Sequence, residues 1–324
     1  MDFYRLITLY RQFGGFHLVI NYAKLGTLRL AIKAGVNCLV KRQSIKQIYP
    51  VVLEKVEPFL IKRYAPLMSS KKEKEIRKTL EHKRNKIVWF CWLQGIEQAP
   101  PIVKACYNSL KRNLADREIR EIDNENWKEY VELPRNIISK WKKGRIPAAL
   151  FSDLLRLELL IKYGGTWIDS TVLCTGFQDS SSKFQEFLDA DLFLFQYTKQ
   201  GSIPVSISNW FITSCSNNEV LMVLRDMLYA YWKDYDCTLD YYIFHLFFSM
   251  LSEEYPEQIK AMPYGSSQNS LALLHHWGVT FDQQKWDRLV SNVAFHKLAF
   301  RVNKDVLNNK YNYYNYILSE YGRI

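Results

Sequence analysis

The stretch "YGGTWIDST", Tyr163 to Thr171, sets one carboxylate, Asp169, four residues after a glycine pair. Gly164 stands where a helix wants a left-handed cap, and Lys162 suits a helix C-terminus. Gly164 and Gly165 therefore stop a helix and turn the chain into a strand over Thr166 to Ile168. That strand delivers Asp169 to its carboxyl end, where open α/β sheets bind ligands. Upstream, "AALFSDLLRLELLIKY" carries Asp153 and Arg156 three apart, so they are neighbours on one helix surface. Leu150, Leu154, Leu157 and Ile161 line the apolar face of that helix. Read without the glycines and Asp169, the pair is an ordinary exposed helix pair that contributes little.

Other residues able to do chemistry are scattered. Asn209 ends the strand-like run "SISNWFITS" and reads either as a ligand to hydroxyl groups or as a turn asparagine. Asp240 precedes "YYIFHLFFSM" and suits a helix N-cap. His275 and His276 are adjacent rather than four apart, which is poor geometry for a shared metal. No two of the six cysteines form a CxxC pair, which argues against a zinc site and suits a reducing compartment. Cys91 and Cys106 lie in apolar runs and read as small core residues.

The elements that must hold these groups begin at Lys86. "KIVWFCWLQG" is a continuous apolar run, closed by Gln94-Gly95, of the kind buried on both faces in a parallel sheet. "PPIVKACYNSLKRNL" follows as a helix with proline at its start, and "REIREID" alternates as a second strand. Strand, helix and strand make a βαβ unit and predict a parallel α/β sheet. Trp89 and Trp92 are three apart in the first strand and point to opposite faces; Trp92 is nearer the carboxyl end.

The chain has 324 residues and a formal net charge of +11, unevenly placed. Residues 1–86 hold 19 Lys and Arg against 6 Asp and Glu, so the rest of the chain is slightly acidic. This predicts a basic helical extension over 1–82 and a larger α/β domain over 83–324. Leu, Ile, Val and Phe recur among the cations at helical spacing, a pattern able to lie on an anionic membrane. A helical extension packed on the body with a solvated basic face fits the same residues. "SSKKEKEIRK" reads as a solvated helix start or linker capped by Ser70. Nucleic acid is set aside as a partner, because the cations alternate with aliphatic residues and no recognition module is present. No signal peptide is visible, and the uncharged stretch between Arg11 and Lys24 is too short and polar to span a bilayer. The expected location is the cytosol, peripheral on the inner face of the cell membrane.

The combination of "KIVWFCWLQGIEQAPPIVKAC", "SDLLRLELLIKYGGTWIDSTV", "LDYYIFHLFF" and "FHKLAF" resembles the bacterial capsular polysaccharide synthesis glycosyltransferases, relatives of the sugar transferases with an Asp-x-Asp motif. The resemblance implies a GT-A fold: a Rossmann-type central sheet flanked by helices. It implies a nucleotide-sugar donor, a UDP-sugar, and transfer with retention to a growing polysaccharide or polyisoprenyl-linked acceptor. By position, Trp92, beside Gln94, corresponds to the tryptophan that stacks on the uracil ring. Asp153 and Arg156 correspond to the pair that holds donor sugar and ribose, and Gly165 to the turn beside them. Asp169 corresponds to the first motif aspartate, and Asp240 to a group facing the sugar or the acceptor. His296 corresponds to a late metal-binding histidine and Lys297 to a lysine on the diphosphate. Thr171 replaces the second motif aspartate. A divalent cation, Mn2+ or Mg2+, held by Asp169, Thr171 and His296 is one expectation, and basic side chains carrying the leaving-group charge are the other. A catalytically inactive sugar- or nucleotide-binding protein on the same scaffold is the alternative to an enzyme.

Overall fold

The computed structural model describes residues 15–40, 48–68, 77, 79–176, 184–197 and 207–322. The reading of Ser70 as a cap and most of "SSKKEKEIRK" lie outside them. In chain order the main helices are α1 (Phe16–Lys24), α2 (Leu28–Val40), α3 (Ile48–Tyr64), α4 (Pro101–Asn113), α5 (Arg135–Lys142), α6 (Ala148–Tyr163), α7 (Glu219–Asp234) and α8 (Ile243–Glu254). The strands are β1 (Ile87–Cys91), β2 (Glu118–Ile122), β3 (Gly165–Asp169), β4 (Val172–Cys174), β5 (Leu192–Gln196), β6 (Ile207–Ser214) and β7 (Phe295–Lys297).

The chain forms two compact units. The first joins residues 1–79 to 132–155 and 219–256; the second comprises 80–131, 156–218 and 257–324. The N-terminal helices share their unit with α5, α7 and α8, so the units are not two consecutive stretches of sequence.

The first unit is helical. Val52, Val56 and Leu60 recur every four residues on α3 and are buried, as are Leu224, Met227 and Leu228 on α7 and Phe244, Phe247 and Phe248 on α8. Tyr64 meets Phe247 edge-on at 5.1 Å between ring centroids. Its hydroxyl donates to Asp234, which Arg63 also holds, at 2.8 Å in each case. Arg77 pairs with Asp226 at 2.9 Å. These contacts bind the N-terminal cations Arg63 and Arg77 to carboxylates of α7 in the same unit.

The second unit is mixed α/β. Its five-stranded sheet has the order β2-β1-β3-β6-β5 and is flanked by helices; β4 and β7 form a separate antiparallel pair. The βαβ unit appears as read: β1 and β2 run parallel and α4 connects them. β1 and β3 are also parallel, but β6 and β5 are antiparallel to their neighbours, so the sheet is mixed where the sequence predicts a parallel one. All five residues of β1 are buried, as a strand covered on both faces requires. Helix α4 puts Ile102, Val103, Cys106 and Leu110 into the core, with Phe90, Ile168, Phe193, Phe211 and Phe295. Burial pushes the Cys91 and Cys106 thiols up to about 12, so both are inert core residues.

Both glycines of the opening stretch are structural, for different reasons. Gly164 caps α6: its φ is +71°, and its amide donates to Leu160 at 2.8 Å. A Cβ there would lie 2.9 Å from the Lys83 carbonyl oxygen and the Ser216 amide. Gly165, at φ +94°, opens β3 directly against β1, and a Cβ would fall on the Ile87 carbonyl oxygen. The sharp stop thus lets β3 pair with β1 from its first residues and sets Cys91 opposite Asp169.

Candidate functional site

Parallel pairing brings the carboxyl ends of β1 and β3 to one edge of the sheet, with Trp92 following β1 and Asp169 ending β3. In a strand, residues two apart share a face, so Trp167 and Asp169 point to the same side. The Trp167 indole N–H donates to Asp169 Oδ1 at 2.9 Å. Arg156, from α6, lies over the Trp167 ring at 4.9 Å and pairs with the same oxygen at 3.3 Å. A second guanidinium N–H donates to the Asn209 carbonyl. Lys297, from β7, closes the group: its ammonium lies 3.3 Å from Asp169 Oδ2 and donates to the Thr171 hydroxyl at 2.5 Å.

Asp169 is therefore held by two cations and an indole N–H, yet its side chain keeps 25% exposure. Burial works to raise its carboxyl. Lys297 first, then Arg156 and the Trp167 N–H, outweigh that and hold it below the usual carboxylate value. The Asp169 carboxylate thus lies between a guanidinium and an ammonium at a partly open sheet edge. A guanidinium beside an ammonium suits phosphate oxygens.

The structure moves several residues from where the sequence puts them. Asp153 and Arg156 are both buried, so the exposed helix pair does not exist. Phe151, Leu155, Leu159 and Leu160 are buried as well, which makes α6 apolar on nearly every side. Asn209 does not end a strand; it is the third residue of β6. Because β6 runs antiparallel to β3, with Ile168 opposite Phe211, Asn209 still falls at the edge where Asp169 sits. Asp240 is not an N-cap. Tyr242 takes that position, while Asp240 is fully buried in the first unit and accepts from the Tyr242 amide at 2.7 Å.

His296 parts company with its neighbour Lys297. Adjacent residues of β7 face opposite sides, and the imidazole is fully buried with Nε2 3.3 Å from the Thr175 hydroxyl. Burial pushes its pKa down to about 3, so it is neutral. Thr171 spends its hydroxyl on Lys297. Asp169, Thr171 and His296 are thus not brought to one point. Among the described residues, no group of three His, Cys, Asp or Glu side chains is placed to hold a metal ion. A divalent ion at Asp169 would find one carboxylate and face two cations, so the residues present do not fit a protein-built metal site.

Of the two tryptophans in the first strand run, Trp89 is the core one: it is fully buried, and its indole donates to the Gly164 carbonyl at 3.0 Å. Trp92 is half-buried, packs edge-on against Phe300 at 5.5 Å, and its indole N–H has no hydrogen-bond partner. Gln94 is exposed beside it. The roles of Trp167, as the ring beneath Arg156, and of the Asn209 carbonyl were not read from sequence. The i, i+2 spacing of Trp167 and Asp169 carries the signal for the first.

No curated protein sequence matches the chain. Among solved structures, one titled "PaToxG Glycosyltransferase" is similar over 82% of this chain and 96% of its own, at 12% identity and a TM-score of 0.37. The family model described as capsular polysaccharide synthesis protein matches residues 36–317, and on that match the chain belongs to this family.

Proposed function

We propose that the protein is a glycosyltransferase that moves a sugar from a nucleotide-sugar donor, a UDP-sugar, to a growing polysaccharide or lipid-linked acceptor in capsule synthesis. Membership of the capsular polysaccharide synthesis family supports the biological setting. The observation that carries the chemistry is the Asp169 cluster: one carboxylate fixed between Arg156 and Lys297 at the carboxyl end of β3.

In this reading the donor diphosphate lies against Arg156 and Lys297. As the anomeric C–O bond breaks, negative charge grows on the departing phosphate oxygens, and these two preorganised cations meet it. The anomeric carbon becomes oxocarbenium-like. The acceptor oxygen attacks from the face the diphosphate leaves, which retains configuration, and its proton passes to a departing phosphate oxygen. Products are the glycosylated acceptor and the nucleoside diphosphate. Asp169 keeps the two cations in place and accepts from sugar hydroxyls. Trp92, with a free indole N–H, covers one face of the base. Asp153 and Asp240, by family position, and Asn209, Gln94 and Gly165 are further proposed donor- or acceptor-side residues.

A thermal-shift screen of nucleotide sugars, followed by chromatography for released nucleoside diphosphate, tests this. A bound donor at a hundredfold excess over Kd is expected to stabilise the chain by about 2.7 kcal/mol, and a donor that binds is expected to be turned over. Binding without turnover by any acceptor or water would instead identify a sugar-nucleotide binding protein.

A further inference from the structure

The outer face of α2 combines two properties that water alone does not reward. Arg29, Ile32, Lys33, Val36 and Asn37 are all exposed and follow helical spacing, so they form one face. Ile32 and Val36 on it are 59% and 53% exposed. On α1, Phe16 is 68% exposed, and Ala23 and Lys24 are exposed too. Thr27 joins the two helices; its amide and hydroxyl both bond the Tyr22 carbonyl, at 2.8 and 3.1 Å. Across residues 1–53 the sequence has eight Lys and Arg and a single acidic residue, Asp2. Among the described residues Lys24, Arg29 and Lys33 form no ion pair, unlike Arg63 and Arg77 further along the unit.

From this face we infer that α1 and α2 form a docking surface for an anionic lipid bilayer. A nucleic acid would engage the cations and leave Ile32, Val36 and Phe16 in water. An apolar protein groove would take the aliphatic side chains and strand the cations. A bilayer surface satisfies both at once, with aliphatic side chains entering the acyl boundary and Lys24, Arg29 and Lys33 staying among the headgroups. Among the described residues no helix is long and apolar enough to cross a membrane, and the contact inferred here lies along the surface. It stands on these side chains whether or not the transfer reading holds.

The test is flotation of the full chain with phosphatidylcholine vesicles, with and without phosphatidylglycerol. The wild-type chain is expected to float with the anionic vesicles only. The triple charge reversal Lys24→Glu, Arg29→Glu, Lys33→Glu is expected to lose about fivefold in affinity for each cation removed. The pair Ile32→Ser, Val36→Ser is expected to keep the folded Tm, since both positions are exposed, and to lose most of the binding that survives high salt, which does not screen apolar contacts. Three results would overturn the inference: wild-type chain that stays in solution with both vesicles; serine variants that float as well as wild type at high salt; or double-stranded DNA that binds as tightly and ignores the serine substitutions. If the serine pair unfolds, the salt titration of wild type decides alone. A salt-resistant fraction on anionic vesicles supports the surface, and complete release by salt contradicts the apolar part of it.

Discussion

Lys297 reaches both Asp169 and Thr171, so its removal separates a structural from a chemical role. Lys297→Met keeps the length of the stem and removes the charge. It is expected to lower affinity for a nucleoside diphosphate by about tenfold or more, as loss of a charge-assisted contact would. Isothermal titration of the folded variant with UDP checks this, and unchanged affinity would remove Lys297 from the diphosphate site. Trp92→Ala should weaken UDP binding by roughly 1–3 kcal/mol, the usual value of one aromatic on a base. Because Trp92 is half-buried and its indole bonds nothing, the fold is expected to survive. A variant that unfolds, or binds UDP as wild type does, would make Trp92 a packing residue. His296 gives a pH signature. Its imidazole is neutral in the fold, with a pKa near about 3, against 6.5 when free. The unfolded chain therefore binds the extra proton between those values. Stability from this residue is full above pH 6.5 and falls as pH drops towards 3. The slope there is about 1.4 kcal/mol per pH unit. Urea unfolding at stepped pH should show a flatter acid limb in His296→Gln, and identical limbs would contradict the assignment.

At the scale of elements, the short turn from α6 into β3 decides where Asp169 ends up. Gly165→Ala puts a methyl onto the Ile87 carbonyl and asks an L-residue to hold φ +94°. Overlap and strain together should destabilise the protein by about 2–4 kcal/mol. Activity should fall with the loss of β1–β3 pairing. A Tm within a degree or two of wild type, as judged by the scaling of Tm with stability, would show that β3 can shift without harm. The helix, the glycine stop and the βαβ unit were legible in the sequence because their signals are local: periodicity, caps and alternation. What failed depended on distant partners. α6 packs on nearly every side, so Asp153 and Arg156 could not be known to be buried. The direction of β6 is set by its pairing, so the place of Asn209 near the start of the strand is not encoded locally. Lys297 meets Asp169 across more than a hundred residues, which no local pattern encodes. The run "AFHKLAF" does carry a local signal: neighbours in a strand alternate faces, and His296 turns into the core while Lys297 faces Asp169.

In the whole molecule, the positive charge of the N-terminal residues and the pair of cations at Asp169 are distinct features. The first is carried by 19 cations over residues 1–86, and the second by Arg156 and Lys297 around a single carboxylate. The central claim concerns the second: that this cluster is where a nucleotide sugar loses its sugar. It is tested most directly by the initial rate of nucleoside diphosphate release from the donor found in the screen, measured for wild type and Asp169→Asn, with Tm and circular dichroism recorded on the same samples. The substitution keeps the shape, removes the charge that fixes Arg156 and Lys297, and should leave a folded protein whose rate is lower by about a hundredfold or more. A folded Asp169→Asn protein that releases nucleoside diphosphate at close to the wild-type rate would contradict the account.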